Sequence, residues 1–115
     1  MTDQEIATTI VSQMITLDRN LLMCIGYRRP TIIKRGLAFQ VNGLSFKGRV
    51  EITLNGKDLY DVQLMTPRSL KIVGKYNDVF AEDLMELLES TIENRRDLSD
   101  VSEEFVLMNE INGVL

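Results

Sequence analysis

The amino-acid sequence predicts an α+β domain with an N-terminal helix, a four-stranded antiparallel β-meander, an amphipathic helix and a short C-terminal helical tail. Three observations predict this fold. Apolar residues recur at helical spacing in the first 24 positions, two Asn-Gly pairs separate alternating apolar and polar segments, and helical spacing returns from residue 80 onwards. Sequential hairpins favour a sheet with one covered face, so both helices are expected on one side of it.

The first helix is predicted over residues 3–24. Thr2 and Glu5 match a capping box at its start, and Gly26 is expected to end it. Its many β-branched residues weaken local helix propensity, so burial of an apolar stripe must stabilise the helix. The stripe consists of Ile6, Ile10, Met14, Leu17 and Leu21.

Residues 27–35 are expected to form a loop or a short edge strand, because Pro30 lacks a backbone donor and restricts Arg29. The meander follows this segment. Asn42-Gly43 and Asn55-Gly56 are the hairpin signals between its strands. Alternation assigns these residues to the covered face: Leu37, Phe39, Val41, Val50, Ile52, Leu54, Tyr60, Val62, Leu64, Leu70, Ile72 and Tyr76.

The second helix is predicted to begin at a cap formed by Asn77 or Asp78 and to end near Arg96. With 115 residues, the chain is expected to form one domain over residues 1–96, followed by an acidic helical tail over 97–115. The tail is expected to pack on the domain or on a partner. The buried stripe of the second helix is predicted to contain Phe80, Leu84, Leu87, Leu88, Thr91 and Ile92.

The composition argues against most site chemistry. The chain has no histidine and one cysteine, Cys24, which makes a zinc site improbable and removes the commonest general base. It contains no nucleophile elbow, phosphate-binding loop or dinucleotide fingerprint, so no enzyme activity, metal or cofactor is expected. Cys24 lies among apolar residues and is predicted to be a buried small hydrophobe in a reducing cytoplasm. The chain has no apolar run that could span a bilayer and no signal-like N-terminus.

Three carboxylates near one hairpin allow two interpretations. Glu51, Asp58 and Asp61 could bind a divalent cation or perform acid/base chemistry. They could equally be solvated, or paired with Lys57 or Arg49 across the ladder, and this second interpretation is favoured.

Charge is unevenly distributed along the sequence. Residues 1–25 carry a net charge of −2, residues 26–75 carry +7 and residues 76–115 carry −9. The basic residues around the start of the sheet are a candidate partner-binding site: Arg28, Arg29, Lys34 and Arg35. They could also contact nucleic acid, with Tyr27 and Phe39 as stacking residues. A sequence pI near 4.8 counts against nonspecific phosphate binding.

The tail combines acidic residues with apolar ones. Phe105, Leu107 and Met108 are its candidate partner-binding residues. Its apolar residues suit a helix that docks on this domain, on a second copy, or in a groove of another protein. A homodimer in which the acidic tail of one subunit meets the basic face of its twin is a further expectation.

The segment Ile52-Thr53-Leu54-Asn55-Gly56-Lys57-Asp58-Leu59-Tyr60-Asp61-Val62, followed by a strand and a helix beginning near Val79-Phe80, resembles small proteins encoded by tailed phages and prophages. Those proteins carry a similar "ITLNxxDLYDV" hairpin. The likeness covers roughly residues 37–92. The resemblance implies a phage or mobile-element origin and no known active site.

Together these features predict a non-enzymatic, phage-derived binding protein that modulates or inhibits a host protein in the host cytoplasm. A defence nuclease complex, as in CRISPR inhibition, is one expected partner, by association with the genome type alone. The alternative is an accessory protein that binds nucleic acid through residues 28–35.

Overall fold

The computed structural model describes residues 1–93, which form a two-layer α+β domain with helices on one face of a five-stranded antiparallel sheet. The strand order is β1-β2-β3-β4-β5, so each strand pairs with its neighbours along the chain. The helices and strands are α1 (Asp3–Cys24), β1 (Arg28–Ile33), β2 (Gly36–Asn42), β3 (Lys47–Leu54), β4 (Tyr60–Met65), β5 (Ile72–Val79) and α2 (Leu84–Leu88). A 3₁₀ turn, Ala81–Asp83, precedes α2, and a π-helical turn, Glu89–Glu93, follows it.

Both predicted ends of α1 are confirmed. Thr2 and Glu5 form the capping box, in which each side chain accepts from the backbone N–H of the other. At the other end Gly26 adopts φ 69°, and the N–H groups of Gly26 and Tyr27 donate to the carbonyls of Met23 and Leu22. This pair of hydrogen bonds is a Schellman motif, which requires a residue in the left-handed conformation at the position occupied by Gly26.

The sequence did not predict the kink in α1. Asp18 has non-helical φ and ψ of −161° and 85°, and its Oδ1 accepts from the backbone N–H of Leu21 at 3.0 Å. Asp18 therefore caps the final turns as a separate helical segment. Leu17, predicted to be buried, lies directly before the kink and is 45% exposed.

Cys24 is exposed, so the prediction of a buried thiol was wrong. Leu21, Leu22 and Ile25 are the residues of this turn that face the core. In a helix with 3.6 residues per turn, positions 23 and 24 then point away from that face.

The sheet has five strands where the sequence predicted four, because the segment 27–35, predicted to be a loop or a short edge strand, contains β1. β1 pairs with β2 in an antiparallel ladder that is irregular between Arg28 and Thr31. Pro30 lies inside the irregularity, and Arg29 before it adopts φ 53°. A bulged edge strand can tolerate proline because its outward side makes no ladder bonds.

The core lies between the helices and one face of the sheet. Directly opposite residues share a face, and the rows Leu37–Ile52–Val62 and Phe39–Val50–Leu64 cross β2, β3 and β4. All six residues are buried, as the alternation predicted. The helices contribute Ile6, Ala7, Ile10, Met14, Leu21, Leu22, Leu84, Met85, Leu88 and Ile92 to the same core.

Tyr60 lies at the edge of this core, and its hydroxyl donates to Oε1 of Gln13 on α1. Burial raises the pKa of Tyr60. Burial also raises the pKa of Tyr27.

These raised pKa values predict loss of stability in alkali. As pH rises, the unfolded chain releases the two phenolic protons before the folded chain does, so the stabilising contribution is complete below about pH 10 and declines above it. Urea unfolding of the wild type should therefore show a fall in unfolding free energy as the pH rises above about 10. The double variant Tyr27→Phe/Tyr60→Phe should show a smaller fall, and an equal fall in both proteins would contradict the assignment.

The hairpin between β3 and β4 is confirmed, but its turn differs from the two-residue turn that Asn-Gly favours. The backbone N–H of Asn55 donates to the Leu59 carbonyl, and that of Asp58 donates to the Asn55 carbonyl. The left-handed residue is Asp58, with φ 60°, and Gly56 has no positive φ. The connection is therefore a longer loop built on a tight turn with Asp58 in the left-handed position.

The second helix begins later than predicted. β5 extends through Asn77 and Asp78 to Val79, so neither residue caps a helix. Phe80, predicted to lie in the buried stripe, is 54% exposed, whereas Leu84, Leu88 and Ile92 are buried as expected.

The last described residues, Ile92 and Glu93, hydrogen-bond to the turn between β2 and β3. The carbonyl of Ile92 accepts from the N–H groups of Ser45 and Phe46, and Glu93 Oε1 accepts from the N–H of Leu44. Gly43 fits here because a Cβ at this position would overlap Ile92. These contacts bury Glu93.

The two layers carry opposite charge. The residues of the helical layer (1–25 and 80–93) include eight acids and one base, whereas those of the sheet layer (26–79) include ten bases and four acids. The polarity seen along the sequence therefore becomes a polarity between the two faces of the domain. No helix in the described part of the chain is long and apolar enough to cross a membrane.

Candidate functional site

The basic edge is the name used here for β1 and the turn that follows it, residues 28–35. Every residue of β1 except Ile33 is exposed, which distinguishes it from β2, where five of seven residues are buried. β1 is the first strand of the sheet, so only β2 borders it among the described strands. The basic edge is thus a largely exposed surface of the domain, apart from the half-buried Ile33.

Three of the four predicted cations of this edge are available to a partner. Arg28, Arg29 and Lys34 are exposed, and none forms an ion pair with a residue in the range 1–93. Arg35 is engaged within the fold. Its Nε donates to the Leu54 carbonyl at 3.0 Å, and its backbone N–H donates to Asp3 Oδ1 at 2.9 Å.

The irregular backbone of the basic edge affects how it can bind. Pro30 has no N–H, and the left-handed Arg29 interrupts the ladder. Both features hinder addition of another strand, which needs a regular row of donors and acceptors. The basic edge therefore offers charged side chains and the exposed Ile32 rather than a free backbone edge.

The two proposed stacking residues are not available for bases. Phe39 is 1% exposed and belongs to the core. Tyr27 is half-buried and packs on Phe39, with ring centroids 4.8 Å apart. The prediction that they could stack on nucleic acid was wrong, because alternation places Phe39 on the covered face and the helix end holds Tyr27 against it.

The uncovered face of the sheet also lacks aromatic residues among the described strands. Its central rows contain Thr31, Ala38, Glu51, Gln63 and Lys75 in one row, and Arg28, Gln40, Arg49 and Met65 in the next. Single-stranded nucleic acids are usually bound by aromatic stacking combined with a cationic groove. This face provides no aromatic residue for stacking, and Arg49 in its central rows is already paired with Glu51 at 2.9 Å.

The three predicted carboxylates do not form one site. Glu51 is paired with Arg49, Asp58 is exposed in the loop, and Asp61 accepts from Asn55 Nδ2 at 3.0 Å. No group of three or more acidic or cysteine side chains within residues 1–93 is arranged to hold a metal ion.

Sequence patterns did not predict that Asp78 hydrogen-bonds to both Asn55 and Asp61. Asp78 on β5 accepts from Asn55 Nδ2 at 2.8 Å and from Lys57 Nζ at 3.2 Å, and its backbone N–H donates to Asp61 Oδ1 at 3.1 Å. The segment 52–62, which resembles phage proteins, is called here the resemblance motif. It therefore contains a hydrogen-bond network that joins the β3–β4 hairpin to β5. The role of this network, called here the clasp, is structural.

An open groove on the helical layer was also not predicted. It measures about 320 Å³ and lies between the middle of α1 and the start of the second helical segment. Leu17, which directly precedes the kink at Asp18, forms part of its wall. Its lining residues are Ser12, Gln13, Thr16, Leu17, Ala81 and Glu82.

The other predicted site residues, Phe105, Leu107 and Met108, lie outside the described residues, as does the predicted tail. No family model, curated protein or solved structure matches this chain. The function must therefore be argued from the surface of residues 1–93, where the basic edge is the only predicted site that the structure describes.

Proposed function

We propose that this chain is a non-enzymatic binding protein that modulates a partner protein through the basic edge. The observation that supports this most strongly is the exposure of Arg28, Arg29 and Lys34 without ion-pair partners in the described part of the domain. Unpaired cations on the surface reduce the stability of the fold little, and they steer association with an oppositely charged surface. The partner surface is therefore acidic.

A protein partner agrees better with the structure than a nucleic acid does. Of the two proposed stacking residues, Phe39 is buried and Tyr27 is half-buried against it, and Arg35 is engaged with the β3 carbonyl of Leu54. Three cations beside an exposed Ile32 suit a protein surface that combines acidic and apolar groups.

The finer part of the proposal concerns the biological partner. We propose a host protein, such as a component of a defence nuclease complex, that is inhibited in the host cytoplasm by a phage-encoded protein. The resemblance of residues 52–62 to phage and prophage proteins is its sole support.

Charge reversal of the basic edge tests the proposal. The variant Arg28→Glu/Arg29→Glu/Lys34→Glu should fold normally and bind the partner about 10- to 100-fold more weakly, because three attractions become repulsions. The matched control Lys47→Glu/Arg68→Glu/Lys71→Glu makes the same charge change at exposed positions elsewhere in the sheet layer. Partners captured from bacterial lysate by the wild type would be quantified with both variants.

Two outcomes contradict the proposal. In the first, every captured partner is retained equally by the basic-edge variant and by the control. In the second, a mobility-shift titration at moderate salt shows tight binding to DNA or RNA that the basic-edge variant loses, which would favour the nucleic-acid function instead.

A further inference from the structure

One end of the sheet exposes apolar side chains at two neighbouring turns. The β2–β3 turn (residues 43–46) and the β4–β5 turn (residues 66–71) lie together at this end, because the first residues of β3 pair with the last residues of both β2 and β4. A cluster of exposed apolar residues marks a surface that another group covers. The cluster, called here the apolar end, consists of residues that are 46–63% exposed: Leu44, Leu70, Ile72 and Val73.

Half-buried side chains between the two turns make the apolar end one surface. Phe46 and Met65 are half-buried, and Gly48 lies between them. A Cβ on Gly48 would overlap both the ring of Phe46 and the carbonyl oxygen of Met65. Because neighbouring strands are about 4.8 Å apart, the two turns are separated by roughly 10 Å. A short segment of chain is therefore long enough to cover both.

The apolar end is also basic. Lys47, Arg68 and Lys71 are exposed there, and none of them forms an ion pair within residues 1–93. The two turns and the residues beside them, 43–48 and 65–72, contain no acid that could balance these cations. A group that covers this surface must therefore combine apolar side chains with carboxylates.

The described part of the chain finishes beside this surface. Ile92 and Glu93 hydrogen-bond to the β2–β3 turn, and Glu93 Oε1 accepts from the backbone N–H of Leu44. Residue 94 therefore starts next to the apolar end. A segment tethered at this point has a high effective concentration there, which a separate molecule would have to exceed.

We propose that residues 97–115 of the same chain cover the apolar end. This segment lies outside the described residues, and its sequence contains five acids and no base. Val101, Phe105 and Met108 recur in it at helical spacing, which predicts an apolar stripe. The stripe matches the exposed apolar residues, and the acids complement the unpaired cations around them. The apolar end shares no residue with the basic edge, so this proposal and the proposed function can fail separately.

Chymotrypsin cleavage after Phe105 in the full chain tests the proposal. The wild type should be cut at least about 10-fold more slowly than a synthetic peptide of residues 94–115, because a docked segment must open before it is cut. Leu44→Ser/Val73→Ser removes two exposed apolar side chains and should bring the rate close to that of the peptide. Equal rates for the wild type and the peptide would overturn the proposal.

Ile15→Ser/Met23→Ser is the matched control for this test. Both residues are exposed apolar side chains of α1, away from the apolar end, so the control should be cut as slowly as the wild type. A control that is cut as fast as Leu44→Ser/Val73→Ser would show that the effect does not come from the apolar end, and would also overturn the proposal.

Charge reversal and dilution identify what covers the surface. Lys47→Glu/Arg68→Glu/Lys71→Glu should speed cleavage severalfold, whereas the triple variant of the basic edge should not. The reverse pattern would assign the segment to the basic edge and overturn the proposal. Protection of the wild type should persist on about 100-fold dilution, because docking within one chain does not depend on concentration. Protection that is lost on dilution would assign the segment to a second copy and would likewise overturn it.

Discussion

Replacing Phe39 with alanine should lower the free energy of unfolding by about 3–5 kcal/mol, the range found when a buried aromatic residue is truncated. Phe39 is 1% exposed at the centre of the sheet, opposite Val50. Its ring also supports Tyr27, whose centroid lies 4.8 Å away. Truncation leaves a cavity between the layers and removes this aromatic contact, and urea unfolding followed by circular dichroism measures the loss.

Phe80→Ala is the matched control for this prediction. Phe80 is 54% exposed, so the same truncation should change the unfolding free energy by less than about 1 kcal/mol. Equal effects of the two substitutions would show that the strand register places Phe39 incorrectly. A large effect of Phe80→Ala alone would instead support the helical stripe that the sequence predicted.

The second large effect is expected at Asn55, whose side chain connects four groups. Its Nδ2 donates to Asp61 and Asp78, and its Oδ1 accepts from the backbone N–H groups of Lys57 and Leu59. Asn55→Ala removes all four bonds, two of them to carboxylates, and should cost about 2–3 kcal/mol in total. Thermal and urea unfolding of the variant measure this cost.

The neighbouring position Asn77 provides the control for Asn55. Asn77 is exposed on β5 beside Asp78, so Asn77→Ala should leave stability nearly unchanged. Asn55→Asp should be as damaging as Asn55→Ala or worse, because it keeps an acceptor for the loop but replaces the donor with a third carboxylate. If Asn55→Asp unfolds like the wild type, the network is not the clasp that joins the hairpin to β5.

The sequence could predict the parts of the fold that depend on local periodicity and capping. Thr2, Glu5 and Gly26 mark the ends of α1 by their own side-chain and backbone chemistry. Strict alternation in β2, β3 and β4 identifies the covered face because a one-residue shift would expose the whole set. These features need no knowledge of distant contacts.

The predictions that were wrong concern features of the fold that depend on tertiary contacts. Asn77 and Asp78 are good helix caps in isolation, but pairing with β4 and the bond from Asp78 N–H to Asp61 extend the strand through them. Asp18 resembles an ordinary exposed helix residue until the kink makes it a cap. Asn55-Gly56 signals a hairpin, yet the side chain of Asn55 selects a longer loop in which Asp58 takes the left-handed position.

At the candidate site, too, sequence patterns predicted some features and missed those that depend on tertiary contacts. Basic residues at 28, 29 and 34 could be selected from sequence because charge clustering is visible there. That Arg35 binds the Leu54 carbonyl depends on how β2 pairs with β3, which local patterns do not show. The exposed apolar residues around β5 could not be recognised, since alternation predicted Leu70 and Ile72 to be buried.

The hydrogen bonds of Asn55 give the resemblance motif a structural role, and we propose that the basic edge binds the partner; one comparison tests both. The most direct measurement is the Kd for a captured partner, determined together with the melting temperature for Asn55→Ala and for Arg28→Glu/Arg29→Glu/Lys34→Glu. We expect Asn55→Ala to melt earlier but, while folded, to bind as the wild type does, and the basic-edge variant to melt normally and bind at least about 10-fold more weakly. Normal binding by the basic-edge variant, with weak binding by folded Asn55→Ala, would contradict the claim.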